Sequence, residues 1–94
     1  MTKLSLKVPV QIFKEGKTFV AHSPVLDVAT SAASFELVKK RFTEAVQIFF
    51  EELRDLGTTD EVLSGLGWVK VKRQWNPPTP IAHDIENISV SLKQ

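Results

Sequence analysis

There is no cysteine in these 94 residues. Disulfides and thiolate metal sites are therefore excluded, and stability must come from packing or from association. The lack of cysteine fits a reducing cytoplasm, which is the expected location. Long apolar runs are missing too. Nothing approaches the roughly 20 apolar residues that span a bilayer, or the unbroken run of about 7–15 that marks a signal peptide. No membrane is expected among the partners. An excess of one charge is also missing, because 12 basic and 11 acidic residues leave a net charge of +1. A polyanion binder draws its affinity from neutralised phosphates, so nucleic acid is expected to be at most a weak partner. Glycine is scarce, at four residues, and neither a GxxxxGK[ST] nor a GxGxxG phosphate loop occurs.

What is present is periodicity. Leu4, Leu6, Val8, Val10 and Ile12 alternate with Lys3, Ser5, Lys7, Pro9 and Gln11. Period two predicts a strand with one buried face. Pro9 cannot donate to a ladder, which places it at a sheet edge or a bulge. Lys14-Glu15-Gly16-Lys17 predicts a hairpin turn, and Thr18 to His22 the returning strand. Pro24 ends that strand, and Val25 to Thr30 predicts a third. Ser34 suits the N-cap of a helix to Leu56, with Phe35, Val38, Phe42, Ala45, Val46, Phe49, Leu53 and Leu56 stepping by three or four. Glu36 and Lys40 have the spacing of an i,i+4 ion pair. Gly57 takes the C′ position. Thr58 and Glu61 have capping-box spacing for a short second helix over Val62, Leu63 and Leu66. Trp68 to Gln74 predicts a further strand. Trp75-Asn76-Pro77-Pro78-Thr79-Pro80 is a stiff connector. Ile88, Val90 and Leu92 then share one face of a last strand.

The chain is of single-domain size, and such a chain buries only about 60–65% of its unfolded surface. The pattern predicts an α+β fold of order β-β-β-α-β. An antiparallel sheet of three N-terminal strands plus Trp68–Gln74 is covered by the long helix, with a short second helix and an extra C-terminal strand. Residues 1–74 form the domain, 75–84 a proline-rich connector and 85–94 a strand for self-association. A self-contained apolar strand behind a rigid spacer suits pairing with another protomer. Ile85, Ile88, Val90, Leu92 and Trp75 are the candidate residues for a dimer or higher oligomer.

Residues that could carry chemistry are few. His22 beside Asp27 could act as a base or a proton switch. The plainer alternative, a histidine satisfied locally at a strand end, is favoured because no nucleophile or third partner is evident. His83 reads as a solvated loop residue. Glu51, Glu52 and Asp55 could hold a cation, but they lie on the polar side of the helix. No catalytic residue, cofactor or metal is expected. Phe49 and Phe50 point about 100° apart, so one enters the core and Phe50 is the candidate for partner contact. Lys70, Lys72, Arg73 and Trp75 would serve a weak nucleic-acid contact.

The stretch Phe19 to Leu53 resembles the N-terminal domain of the HicB family, antitoxins of HicA-type toxin–antitoxin systems. The matching residues are Phe19, Ala21, Pro24, Leu26, Thr30, Ser34, Glu36, Glu44-Ala45 and Glu51-Glu52-Leu53. Ala32 and Leu37-Val38 depart from the family pattern. The tail is similar to the strand of a ribbon-helix-helix segment without that segment's helices. The resemblance implies a partial RNase-H-like fold without nuclease carboxylates. It implies a non-enzymatic antitoxin, or an orphan relative, that occludes an mRNA-cleaving toxin. The alternative is a stand-alone homo-oligomeric interaction module with a non-toxin partner.

Overall fold

The computed structural model describes residues 6–93. Strand β1 (Gln11–Glu15) pairs antiparallel with β2 (Thr18–Ser23) through the two-residue loop Gly16-Lys17. Gly16 takes φ 61 there, the left-handed value that the first position of a II′ turn requires. Strand β3 (Val28–Ala32) pairs antiparallel with β2, giving the order β1-β2-β3. Residues Ala33 and Ser34 lead directly into helix α1 (Phe35–Leu56). Ser34 caps it as the sequence predicts, its Oγ accepting from the Leu37 amide at 3.2 Å.

Gly57 ends α1 at φ 68, with its amide donating to Arg54 and the Thr58 amide to Leu53. That pair of bonds is a Schellman closure. It holds Thr58 near ψ 12, and the Thr58 side chain makes no cap to helix α2 (Thr59–Gly65). The predicted capping box is thus displaced by the end of the preceding helix.

The α+β arrangement is as the sequence predicts: three antiparallel strands, one long helix, a short helix and later β-structure. Five details differ. The first strand starts at Gln11, and residues 6–10 run without regular pairing. Pro9 explains this, since the ladder begins only beyond it. Leu4 lies outside the described residues. The third strand starts at Val28, because Val25 and Leu26 form a buried loop. The strand expected at Trp68–Gln74 does not join the sheet. Instead β4 (Val69–Val71) pairs with β5 (Gln74–Asn76) in a separate hairpin. The folded body therefore runs to Asn76 rather than 74. Residues 77–93 carry no strand, so the expected C-terminal strand is absent from the single chain. A strand needs a neighbour for its backbone groups, and this one has none within its own chain. The anticipated Glu36–Lys40 ion pair is not formed either. Among the described residues the ion pairs are His22–Asp27, Arg54–Asp55 and Lys70–Asp60.

The core has two parts. Ala21, Ala32, Val38 and Phe42 fill the space between sheet and α1. Val25, Leu26, Leu63 and Trp68 form the second part, with Phe49, Phe50 and Trp75 packed around them. Val8, Val28 and Val46 touch both. Trp68 Nε1 donates to the Val25 carbonyl at 2.8 Å, a buried bond across 43 positions. Helix α1 lies over β3 and β2 and hardly reaches β1. Geometry explains the offset. A helix about 10 Å wide covers about two strands spaced about 4.8 Å apart, and the two-residue link ties α1 over β3.

Replacing Trp68 with Phe keeps the ring and leaves the Val25 carbonyl unpaired. The expected cost is about 1–3 kcal/mol. Thermal unfolding followed by circular dichroism should show a melting temperature lower by at least about 4 °C. An unchanged midpoint would show the bond to be dispensable.

Candidate interaction surfaces

His22 and Asp27 are brought together as their spacing suggested. His22 Nε2 lies 3.3 Å from Asp27 Oδ1. The β2–β3 loop makes this possible. The Asp27 amide donates to the Ser23 carbonyl at 2.8 Å, and Asp27 takes φ 55, which aspartate tolerates better than most residues. The nearest hydroxyl, that of Ser23, cannot complete a nucleophile–base pair with His22. Neighbours in a strand point to opposite faces. Ser23 is fully buried on the helix side with its Oγ unpaired, while His22 is on the open side. Asp27 is exposed, so the pair is an accessible polar contact at the sheet's end.

The open face also presents Phe13 opposite Val20. Phe13 is half exposed, a large ring only partly covered by its own chain. On α1, Glu44, Ile48, Glu51, Glu52 and Asp55 fall on one side at three- and four-residue steps, all exposed. Asp55 meets only Arg54, at 3.2 Å. Among the described residues no group of three or more metal-ligating side chains is placed to hold an ion.

Three basic residues, Lys70, Lys72 and Arg73, gather at the β4–β5 hairpin. Lys72 and Arg73 form its two-residue loop with φ 50 and 69. Both positions of a I′ turn need positive φ, which favours Asn-Gly; lysine and arginine are strained there. Lys70 Nζ sits 5.7 Å from the Trp75 ring centroid and 3.9 Å from Asp60 Oδ1. Trp75 is half buried against the second core cluster. It therefore fastens the hairpin to its own domain and keeps part of its surface exposed. Phe50 is likewise half buried, edge-on to Trp68 at 6.4 Å between centroids. It belongs mainly to the core.

The remaining self-association candidates are all free. Ile85, Ile88, Val90 and Leu92 lie in the exposed stretch 78–93, together with His83 and the wholly exposed Ile81. Pro77, Pro78, Thr79 and Pro80 pass beside Lys7, Val8 and Pro9, leaving an open hollow of about 380 Å³ between them. Pro78 seats against Gly67, where an added Cβ would come within 3.3 Å of the proline ring.

One surface has no counterpart in the sequence reading. Val10, Ile12, Ala21, Lys39, Phe42 and Thr43 line a notch of about 90 Å³ between β1 and α1. It exists because α1 is offset toward β3, a tertiary fact that no local pattern encodes. The available signal was the pairing of Phe42 with its exposed neighbours Lys39 and Thr43 on one helix turn.

No helix among the described residues is long and apolar enough to cross a membrane. Comparison of the chain with protein-family models, with curated proteins and with solved structures gives no match.

The strained hairpin loop gives a direct check. Changing Lys72 to Asn and Arg73 to Gly together should relieve the left-handed strain and raise stability by roughly 1 kcal/mol. Chemical denaturation measures it; a loss of stability would mean that the basic side chains make contacts outweighing the strain.

Proposed function

We propose that this chain is a protein-binding domain of the HicB antitoxin kind, which occludes the RNA-cleaving surface of a HicA-type toxin and does no chemistry itself. The observation that carries the reading is surplus surface. The chain exposes 8049 Å², whereas a compact monomer of 10.5 kDa exposes about 5,400 Å². Its radius of gyration is 16.7 Å, against about 12 Å for a compact chain of this length. Such a chain is built to be completed by something else.

The residues behind the resemblance do structural work. Pro24 and Leu26 shape the buried loop under Trp68, and Ser34 starts α1. What they hold up is the outer face of α1. Its acidic side chains around Ile48, which is 55% exposed, complement a basic, RNA-acting partner, and an apolar centre with a charged rim is the usual anatomy of a protein interface. A second reading, a free-standing homo-oligomeric module, is favoured by the uncovered apolar tail.

Co-expression with a small basic, histidine-containing toxin encoded beside it tests the first reading. Growth should be rescued and the two proteins should co-purify. Glu51→Lys with Glu52→Lys should weaken the complex at least about tenfold, as reversed charges meet a basic face. Absence of any complex with such a toxin overturns the reading.

A further inference from the structure

We infer that the tail of one copy adds as a strand to the outer edge of β1 in a second copy, with Ile88, Val90 and Leu92 on the side that faces the notch between β1 and α1 and one of them seated in it. This rests on the self-association reading above and supplies its receiving site.

Three observations converge on it. The first is an unpartnered strand-forming segment. Ile88, Val90 and Leu92 alternate with Asn87, Ser89 and Ser91, and all three apolar side chains are at least 70% exposed. Period two is useful only against a sheet. The second is an open edge. The sheet has two edges, β1 and β3. α1 covers β3, and Arg41 Nη1 donates to the Ser31 carbonyl of β3 at 3.0 Å. Among the described residues β1 has no such guard, and an unpaired edge of this kind templates another strand. The third is the notch itself, lined by Val10, Ile12 and Phe42 on the helix side of that edge. A strand laid beside β1 turns every second side chain toward it.

The occupant is a second copy rather than the chain's own tail. Pro78 seats the tail's root against Gly67, and residues 81–93 beyond it are all exposed, in a chain whose long axis is 58 Å. Reciprocal exchange also suits the area. A stable interface takes roughly 600–1,000 Å² from each partner, well within the surplus surface of this chain.

Sedimentation of the full chain should give twice the 10.5 kDa of one copy. Val90→Asp on the tail and Val10→Asp at the notch should each lower the dimer's association constant at least tenfold, with the circular dichroism spectrum of the folded body retained. Mixing the two variants should recover a heterodimer, since one tail and one notch remain intact. The absence of cysteine makes a second test clean. Thr43→Cys combined in turn with Ile88→Cys, Val90→Cys or Leu92→Cys should yield a covalent dimer on oxidation for at least one pair. A monomeric wild-type chain overturns both the inference and the self-association reading. A dimer in which none of the three pairs cross-links overturns the receiving site alone. A cross-link confined to single chains overturns the second copy as occupant.

Discussion

The bond from Trp68 Nε1 to the Val25 carbonyl holds this fold together. It joins the loop between β2 and β3 to the strand-leading residue of the hairpin, 43 positions later. A buried carbonyl without a partner is costly, and an indole has only one donor to give. The two groups therefore fix each other. Around them Leu26 and Leu63 close over the second core cluster, and Phe50 packs edge-on to the indole. Leu63 brings α2 in, and the Trp68 amide bonds to the Leu63 carbonyl at 2.9 Å. The hairpin, the connector and the departure of the tail all follow from where Trp68 is pinned.

That constraint explains the uneven cover of the sheet. The first cluster is held by α1 over β3 and β2, the second by the loop, α2 and the hairpin. Neither reaches the outer side of β1. A chain of 94 residues has one long helix to spend on a three-stranded sheet, and that helix is tethered to the strand furthest from β1. The uncovered edge is thus a consequence of topology. A single helix also covers only one face of the sheet, which leaves Phe13 and Val20 on the other face without a second layer.

Much of this was legible in the residues. Ser34, Gly57, Gly16 and the middle apolar steps of α1 act through neighbours within four or five positions and did what their types dictate, whereas Phe35 and Leu56, at the two ends of the helix, stay exposed because the core does not extend that far. Errors arose where a distant partner decided. Val25 and Leu26 look like strand residues, but Trp68 draws them into a loop. Thr58 and Glu61 look like a capping box, but Leu53 claims the Thr58 amide. Trp68–Gln74 looks like a sheet strand, but the Lys72-Arg73 turn folds it onto Trp75. Candidate sites divide the same way. His22 and Asp27 are five apart and meet; whether Ser23 could join them depended on strand faces, which period two already forbids. The notch beside β1 depends on helix placement and was invisible.

The tail marks the boundary between what one chain can order and what it cannot. A helix satisfies its own backbone, so α1 needs only a packing face. A strand satisfies nothing alone, and ordering its backbone costs about 1–2 kcal/mol per residue. For residues 85–92 neither the ladder bonds nor the burial of Ile88, Val90 and Leu92 is supplied internally. The connector sets where the tail leaves the body, because Pro78 is seated on Gly67. Glycine at 67 is what lets the proline approach that closely. Within the single chain the tail has no ladder, while the body behind it rests on its own contacts. On the self-association proposed above, a chain divided in this way makes its last strand conditional on company.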